Sequence, residues 1–276
     1  MDVKKRLSYF TDGDGVGAQY QRILAMLGFC KVHNFEYVHN VANIGHNYDK
    51  DPTWNIKWDQ MFRLGSQSDD CDPNLVERKY NAPIIILRSV SEVEQATRNS
   101  YNIQPVKLLF DIVDKNPDVY YGSILDVARE KYDSANMDKE CMFFKKDCVN
   151  IVIHIRTWNK DDDVSGEHDR AIPGGKAYIP VAYYKMLIQQ LIKIYPNCHI
   201  LMFTQASYDI SELDTFINVS CHVDASVFDT FHHMVKADVL VTGRSSFSYL
   251  AALYNKNEVV YMPFWHPPLK HWKILS

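Results

Sequence analysis

Two polar side chains at the end of an apolar run form the first candidate site. The segment Val149–Arg156 is typical of a buried strand, and His154 and Arg156 stand at its carboxyl end. Side chains alternate along a strand, so these two point to the same face, and open α/β sheets bind ligands at the carboxyl ends of their strands. A guanidinium is a permanent cation with a fork of donors that suits a phosphate. The pattern indicates a phosphate-bearing ligand, with a structural arginine paired to a core carboxylate as the alternative.

A second candidate anion site lies between an expected strand, Asp238–Thr242, and an expected helix, Ser245–Tyr254. Free N–H groups, hydroxyls and the helix dipole at such a junction bind anions, although two serines at a helix start are also ordinary N-caps. Because this strand and Val149–Arg156 are expected in one sheet, the two sites could meet on one phosphate group. The candidate residues are Arg244, Ser245, Ser246 and Phe247.

A glycine-rich turn, Asp12–Ala18, lies between the first strand and the first helix. Gly13, Gly15 and Ala18 fit the G-x-G-x-x-G/A fingerprint of dinucleotide-binding enzymes. The acid about twenty residues on, Glu36, opens the second strand rather than closing it. A tight turn that brings the backbone close to a ligand is therefore the favoured interpretation, and an NAD(P) site is the alternative.

An acidic loop follows the His154 strand. Asp161–Asp163 is either a solvated loop, the source of a general base for a hydroxyl nucleophile, or a D-x-D metal motif that binds a divalent cation. Such a metal motif usually stands at the strand end itself, whereas Thr157–Lys160 intervene here.

An aromatic tail closes the chain. Trp265, His266 and Trp272 are residue types that stack on a sugar. Packing of the tail back onto a domain is the favoured alternative.

Hydrophobic periodicity organises these motifs into an α/β chain. In the C-terminal half, strands are expected at 150–155, 199–204, 219–223, 238–242 and 258–262, with helices at 181–195, 226–236 and 245–254 between them. The N-terminal half repeats the pattern less regularly, with strands at 7–10, 35–39 and 84–87, a helix at 16–33, and a loop with a short helix at 52–72. Alternating strands and helices indicate parallel sheets. We expect two Rossmann-like domains that face each other across a cleft.

The polar segment Asp133–Asp147 is the expected crossing between the two domains. The expected division is 1–145 for the N-terminal domain and 146–262 for the C-terminal domain. Residues 263–276 form the tail, which we expect to pack on the N-terminal domain.

Composition excludes several classes of protein. The 276 residues are 46% hydrophobic and 23% charged, which is ordinary for a globular chain with a real core. A net charge of −4 gives no sign of the excess of basic residues that is typical of nucleic-acid-binding proteins. No apolar run approaches the length of a membrane span. The six cysteines form no C-x-x-C pair. We therefore expect reduced thiols in a soluble, cytoplasmic protein.

Several motifs together resemble the fucosyltransferase superfamily, which comprises α1,2-, α1,6- and protein O-fucosyltransferases with a GT-B architecture of two Rossmann-like domains. The turn and helix start at Gly13–Gln19 are similar to the family's N-terminal glycine-rich loop, and Ile153–Arg156 is similar to its H-x-R motif. Further resemblances are Ala177–Pro180 before the long helix, Phe203–Gln205 at a strand end, and Ala237–Ser248, which is similar to the family's last motif.

The resemblance implies a role for each site. Arg156 would hold the β-phosphate of a nucleotide-sugar, with His154 beside it. The base of the nucleotide would lie near Thr204, Gln205 and Asp224, the donor phosphates near Arg244, Ser245, Ser246 and Phe247, and the acceptor near Gly15, Gly17 and Gln19. The catalytic candidates are Arg156, Asp161 and Asp14. Gln205 stands where members that use GDP-fucose often carry an acid, so a uridine donor such as UDP-xylose stays open.

The sequence thus predicts an inverting glycosyltransferase that needs no cofactor or metal. It would move a fucose-type sugar, with GDP-fucose as the favoured donor, onto a hydroxyl of an oligosaccharide or glycoprotein glycan. A transferase that uses a UDP-sugar, such as a xylosyltransferase, is the first alternative. An NAD(P)-binding oxidoreductase that uses Gly13–Ala18, and a nucleotide-binding module without activity, are alternatives of other classes.

Overall fold

The computed structural model describes residues 6–9, 13–45, 47, 50–65, 85–86, 89–92, 104–107, 110–157, 179–206 and 208–275. The chain divides into two compact units, 1–138 and 139–276. The division falls inside the polar segment Asp133–Asp147, at residue 138 rather than the expected 145.

The first unit is built on a parallel sheet with the strand order β2-β1-β4-β3. Its strands are β1 Arg6–Tyr9, β2 Glu36–Tyr37, β3 Ile85–Ile86 and β4 Gln104–Lys107. Its helices in the described residues are α1 Val16–Val32, α2 Trp54–Phe62, α3 Phe110–Val113, α4 Pro117–Tyr120 and α5 Leu125–Ala135. Helix α1 begins directly after the glycine-rich turn, as the sequence predicts.

Helices α3, α4 and α5 and strand β4 were not expected from the sequence. The buried side chains of α5 are Leu125, Ala128 and Tyr132, and this spacing is that of one face of a helix. Polar residues at the positions between them make the apolar face of α5 narrow, which explains why the sequence did not predict this helix.

The second unit is built on a six-stranded parallel sheet with the order β10-β9-β8-β5-β6-β7. Its strands are β5 Val149–His154, β6 Cys198–Thr204, β7 Val219–Val223, β8 Val239–Val241, β9 Glu258–Tyr261 and β10 Lys273–Ile274. Its helices in the described residues are α6 Val181–Ile194, α7 Val227–Lys236 and α8 Ser246–Tyr254. The five strands expected in this half are present, and each end lies within one residue of its expected position.

The central strands of this sheet are apolar because both faces are covered. Every residue of β6 is buried, which is the reason such strands read as continuous apolar runs. On one face, Tyr184, Leu187, Ile188 and Leu191 of α6 share a core cluster with Ile151 and Ile153 of β5. This core holds β5 as a buried support for the residues at its carboxyl end.

The tail belongs to the second unit, which corrects the expectation that it packs on the N-terminal domain. Strand β10 pairs in parallel with β9 and extends the sheet. The Trp272 ring lies 5.2 Å from that of Tyr249 and 5.9 Å from that of Tyr261. Buried rings on α8 and β9 thus offer the tail an aromatic surface in its own unit.

Three general features of the described residues bear on function. The five cysteines in this part of the chain are free thiols. None of the helices that the structure describes is both long and apolar enough to cross a membrane. The same residues contain no group of three or more His, Cys, Asp or Glu side chains that could hold a metal ion.

Candidate functional site

The two anion motifs of the sequence meet at one edge of the second sheet. Strand β5 pairs with β8 on one side and with β6 on the other, with Ile153 opposite Val241 and His154 opposite Phe203. Because all three strands are parallel, their carboxyl ends lie side by side. The predicted meeting of the His154–Arg156 strand end with the start of α8 is therefore present.

Gly243 allows these two chain segments to touch. A Cβ at this position would stand 2.6 Å from the carbonyl oxygen of His154 and 3.4 Å from the backbone nitrogen of Arg156. Real Cβ atoms essentially never stand 2.6 Å from a backbone oxygen, so a side chain at Gly243 would force the two segments apart. The N–H of Gly243 also donates to the hydroxyl of Ser248 at 3.0 Å, which holds the turn against the helix it precedes.

The start of α8 offers an anion site next to this contact. Ser245 is the N-cap, and its hydroxyl accepts the Phe247 N–H at 3.2 Å, so its side chain has the capping role that the sequence left open. Ser246 is the first helical residue, and neither its N–H nor its hydroxyl is bonded to any residue that the structure describes. Free first-turn donors together with the helix dipole favour a bound anion.

His154 is a neutral imidazole buried beside this site. Burial, reinforced by the charge of Arg156, lowers the pKa of His154 to about 3. Its Nδ1 is buried and has no hydrogen-bond partner among the described residues. The ring of Phe247 packs edge-on at 5.6 Å from that of His154. A buried polar atom without a partner needs an explanation, and a ligand group is one.

The two arginines have different neighbours in the second unit. Arg156 is half-buried and close enough to His154 to disfavour a charge on its ring. Arg244 is close enough to Tyr183 and Tyr184, at the start of α6, to favour their ionised forms, although burial raises the pKa of both phenols. Each arginine is thus placed by a different element of the second unit.

A polar group lies one strand further along the same edge. The Thr157 hydroxyl donates to the amide oxygen of Gln205 at 2.9 Å, so the amide NH₂ of Gln205 is not part of this bond. The Asp224 N–H donates to the Thr204 carbonyl at 3.0 Å, and its Oδ1 accepts the Ala206 N–H at 3.1 Å. Asp224, with φ of 51°, therefore ties the ends of β6 and β7 together.

Thr157 is a site residue that the sequence reasoning missed. It directly follows the strand that carries His154 and Arg156, and a polar residue there was a usable signal. Asp229, in the first turn of α7, is paired with Lys139 at 3.2 Å and does not belong to this group.

The glycine-rich loop of the first unit is held together by its own carboxylate. Oδ1 of Asp14 accepts the Gly15 N–H at 2.7 Å, and Oδ2 forms an ion pair with Arg22 at 2.9 Å. A Cβ on Gly45 would stand 2.0 Å from the carbonyl oxygen of Gly13, so a second backbone segment packs tightly on the turn. Asp14 therefore has a clear role in holding the loop.

The other loop candidates are less exposed than the sequence suggested. Gly17 is buried within α1, and Gln19 is completely buried in the first unit. Gly15 is the N-cap of α1, with its carbonyl accepting the Gln19 N–H at 3.0 Å. Among these candidates, Gly15 is the one on the loop surface.

The dinucleotide alternative finds no support in this loop. Glu36 is the first residue of β2 and pairs with Arg6 at 3.2 Å. It therefore lies at the amino end of its strand, whereas the acid that binds a ribose stands at the carboxyl end. The proposed base, Asp161, lies outside the described residues, as does the rest of the loop 158–178.

Comparison of the sequence with known families and proteins gives no match. No protein-family model matches it, and no curated protein matches it.

Comparison with solved structures finds similar chains over almost the full length. The fucosyltransferase NodZ from Bradyrhizobium has a TM-score of 0.52 at 11% identity and covers 97% of this chain and 98% of its own. NodZ alpha-1,6-fucosyltransferase soaked with GDP-fucose has a TM-score of 0.51 at 10% identity, with 94% and 95% covered. POFUT1 in complex with GDP has a TM-score of 0.51 at 10% identity, with 95% and 99% covered. The expected α/β, GT-B-like fold is confirmed.

Proposed function

We propose that this chain is a glycosyltransferase that uses a nucleotide-sugar donor. The observation that carries the proposal is the contact between the end of β5 and the turn before α8. It places Arg156, the unbonded Nδ1 of His154 and the free donors of Ser246 at one edge of one sheet. A diphosphate is a ligand of the right charge for a guanidinium beside a helix N-terminus.

The reaction that we propose is an inverting displacement. A hydroxyl of an oligosaccharide or glycoprotein glycan attacks C1 of the donor sugar from the face opposite the diphosphate. The C1–O bond to the diphosphate breaks, and its electron pair passes to the departing phosphate oxygen. A carboxylate takes the hydroxyl proton, and we assign this role to Asp161 on the resemblance of its motif alone.

Stabilisation of the departing diphosphate is the main catalytic contribution of the described residues. Negative charge develops on the phosphate oxygen as the bond breaks, and donors already aimed at that oxygen need no reorganisation. Arg156, the first-turn N–H groups of α8 and the helix dipole supply the positive potential that a divalent cation supplies in metal-dependent transferases. We therefore propose a metal-independent reaction.

The polar group at β6 and β7 is the proposed contact for the nucleotide base. The Gln205 NH₂ donates to a carbonyl of the base, and a carboxylate oxygen of Asp224 accepts one of its N–H groups. Guanine and uracil both present a carbonyl next to an N–H. We favour GDP-fucose because the similar structures include ones named with GDP and GDP-fucose, with a UDP-sugar as the alternative. Acceptor recognition is assigned to the first unit, on the resemblance of Gly13–Gln19 alone.

The test is a calorimetric binding panel of GDP, GDP-fucose, UDP, UDP-xylose and NADH, each with and without EDTA. The proposal expects one of the two nucleoside diphosphates to bind, with the same affinity in EDTA. A Ser246→Pro variant, which removes one free N–H while proline remains acceptable at a helix start, is expected to bind it more weakly. Binding of NADH alone would overturn the assignment.

A further inference from the structure

Two aromatic side chains directly follow strand β9, with Phe264 half-buried and Trp265 exposed. Trp265 is 56% exposed, and its ring centroid lies 3.7 Å from that of Phe264. We call these two rings the aromatic platform. Single exposed apolar side chains are common on protein surfaces, but this pair is held in place by buried residues and lies next to the candidate diphosphate site.

The backbone that carries the aromatic platform is fixed by buried phenols. The Tyr261 hydroxyl accepts the Phe264 N–H at 2.9 Å and donates to the His266 carbonyl. The Tyr249 hydroxyl donates to the Pro267 carbonyl at 2.8 Å. Both tyrosines are buried, so the turn is held from beneath while its rings stay at the surface. A surface of rigid rings costs little entropy when a ligand binds.

The platform stands at the same sheet edge as the candidate diphosphate site. The Met262 N–H donates to the hydroxyl of Thr242 at 2.9 Å, which joins the end of β9 to the end of β8. Phe264 and Arg244 each follow two residues later along their segments. The two segments therefore leave the sheet from adjacent points.

The strand order places the platform opposite the base contacts. Gln205 and Asp224 lie at the ends of β6 and β7, the diphosphate site lies at β5 and β8, and the platform follows β9. Neighbouring strands are about 4.8 Å apart, so the distance from β6 or β7 to β9 is roughly 14–19 Å. This is the length scale of an extended nucleotide-sugar, in which the diphosphate separates base from sugar.

We propose that Phe264 and Trp265 form the subsite for the donor sugar, which stacks the C–H face of its ring on the indole. This inference rests on the proposed function and adds the residues that recognise the sugar. Apolar aromatic walls combined with a few polar groups are typical of small-molecule sites, and an indole offers a large, rigid face for such a contact.

The experiment compares each nucleoside diphosphate with its own sugar derivative by calorimetry, using GDP with GDP-fucose and UDP with UDP-xylose. In the unmodified protein, the sugar derivative is expected to bind about tenfold more tightly. Trp265→Ala is expected to abolish that difference while leaving the affinity for the nucleoside diphosphate unchanged. Trp265→Phe keeps a ring and is expected to retain part of the difference.

A matched control is Ile217→Ala, which also removes an exposed apolar side chain from the second unit. Ile217 is 96% exposed and precedes β7, so it lies at the amino ends of the strands, whereas the aromatic platform lies at their carboxyl ends. A Trp265→Ala protein that keeps the full preference for the sugar derivative would overturn the subsite, as would an unmodified protein that binds both ligands equally. In both cases the diphosphate still binds, and the proposed function stands. A protein that binds neither ligand overturns both proposals.

If Trp265→Ala fails to fold, Trp265→Phe and Phe264→Ala carry the comparison. Loss of the sugar preference in Phe264→Ala supports the platform, and an unchanged preference in both variants contradicts it.

Discussion

The imidazole of His154 lies directly against the backbone of Gly243. A Cβ on Gly243 would stand 3.1 Å from Nδ1 of His154, besides its clash with the carbonyl oxygen of the same residue. Residues from two motifs far apart in the chain are thus in contact at the edge of one sheet. The contact sets the distance between Arg156 and the start of α8, on which the proposed diphosphate site depends.

Gly243→Ala should separate these two segments. The added methyl group meets backbone atoms that cannot rotate away, so we expect a loss of about 1–3 kcal/mol in the free energy of unfolding, as for other overpacked sites. Affinity for the nucleoside diphosphate should fall as well, because the donors no longer converge. Urea unfolding and calorimetry measure the two effects. Normal stability together with normal affinity would contradict a close contact between Gly243 and the end of β5.

Arg156→Ala should slow sugar transfer by about 10²–10³-fold if the guanidinium stabilises the departing diphosphate, as lost oxyanion donors do. Slow hydrolysis of the nucleotide-sugar without acceptor gives a rate that needs no knowledge of the acceptor. Lys185→Ala is the matched control, because it removes a positive charge from an exposed ion pair with Glu212 in the same unit. Near-normal turnover in Arg156→Ala would remove this residue from the reaction.

Thr157→Val should weaken binding of the nucleotide base. Without the Thr157 hydroxyl, the Gln205 amide is free to rotate, and the loss of one neutral hydrogen bond is worth about 1 kcal/mol, or roughly fivefold in affinity. Inorganic pyrophosphate, which has no base, should inhibit the variant and the unmodified protein equally. Thr157→Ser keeps the hydroxyl and should behave normally. An equal loss for pyrophosphate would place Thr157 at the phosphates instead.

Acid should destabilise the second unit through two histidines of α7. Nδ1 of His233 donates to the Asp229 carbonyl at 2.7 Å, and its Nε2 accepts the Phe143 N–H at 3.2 Å. Burial is the main cause that lowers the pKa of His233, against the favourable effect of Asp229, and Lys139 adds to the lowering. Burial, with the charge of Lys139, likewise lowers the pKa of His232 to about 4.

The sign of the pH dependence follows from these shifts. The pKa of each histidine is lower in the folded protein than its ordinary value of 6.5. Between these two values the unfolded chain therefore binds more protons than the folded protein does. Stability is therefore complete above about pH 6.5 and falls as the pH drops toward 4. His222, whose ring stacks on Phe143 at 4.0 Å and whose pKa is also lowered by burial, acts in the same direction.

His233→Gln separates this effect from general acid unfolding. A glutamine oxygen can accept the Phe143 N–H but does not titrate, so the variant should lose less stability between pH 7.5 and 5 in urea titrations. The same slope in both proteins would mean that His233 is not among the groups responsible.

Trp272→Ala should cost about 3–5 kcal/mol of unfolding free energy, as for other buried aromatic residues. The ring is 5% exposed and packs on Tyr249 and Tyr261, which also hold the turn of the aromatic platform. Trp265 is exposed and lies seven residues earlier, so Trp265→Ala should change the free energy of unfolding by no more than about 0.5 kcal/mol. Thermal or urea unfolding of the two variants compares them directly; equal losses would contradict this view of the tail.

The sequence by itself determined the local elements of the second unit. The apolar run before His154 predicted β5, the stripe of Tyr184, Leu187 and Leu191 predicted α6, and the serines at 245 and 246 marked the start of α8. These signals are local because the periods of strands and helices are properties of the backbone. The membership of β5 and β8 in one sheet also followed, since strands that alternate with helices indicate a parallel sheet, but their adjacency comes from the structure.

Only the tertiary structure decided which side chains meet. The bond from Thr157 to Gln205, the ion pair of Asp14 with Arg22 and the packing of Trp272 on Tyr249 join residues that no spacing in the sequence connects. The tail was assigned to the wrong domain because its aromatic side chains could pack on any buried aromatic surface. The pairing of β10 with β9 decides that they pack on the second unit. Pairings of this kind depend on the distance between elements after packing, and local periodicity carries no information about that distance.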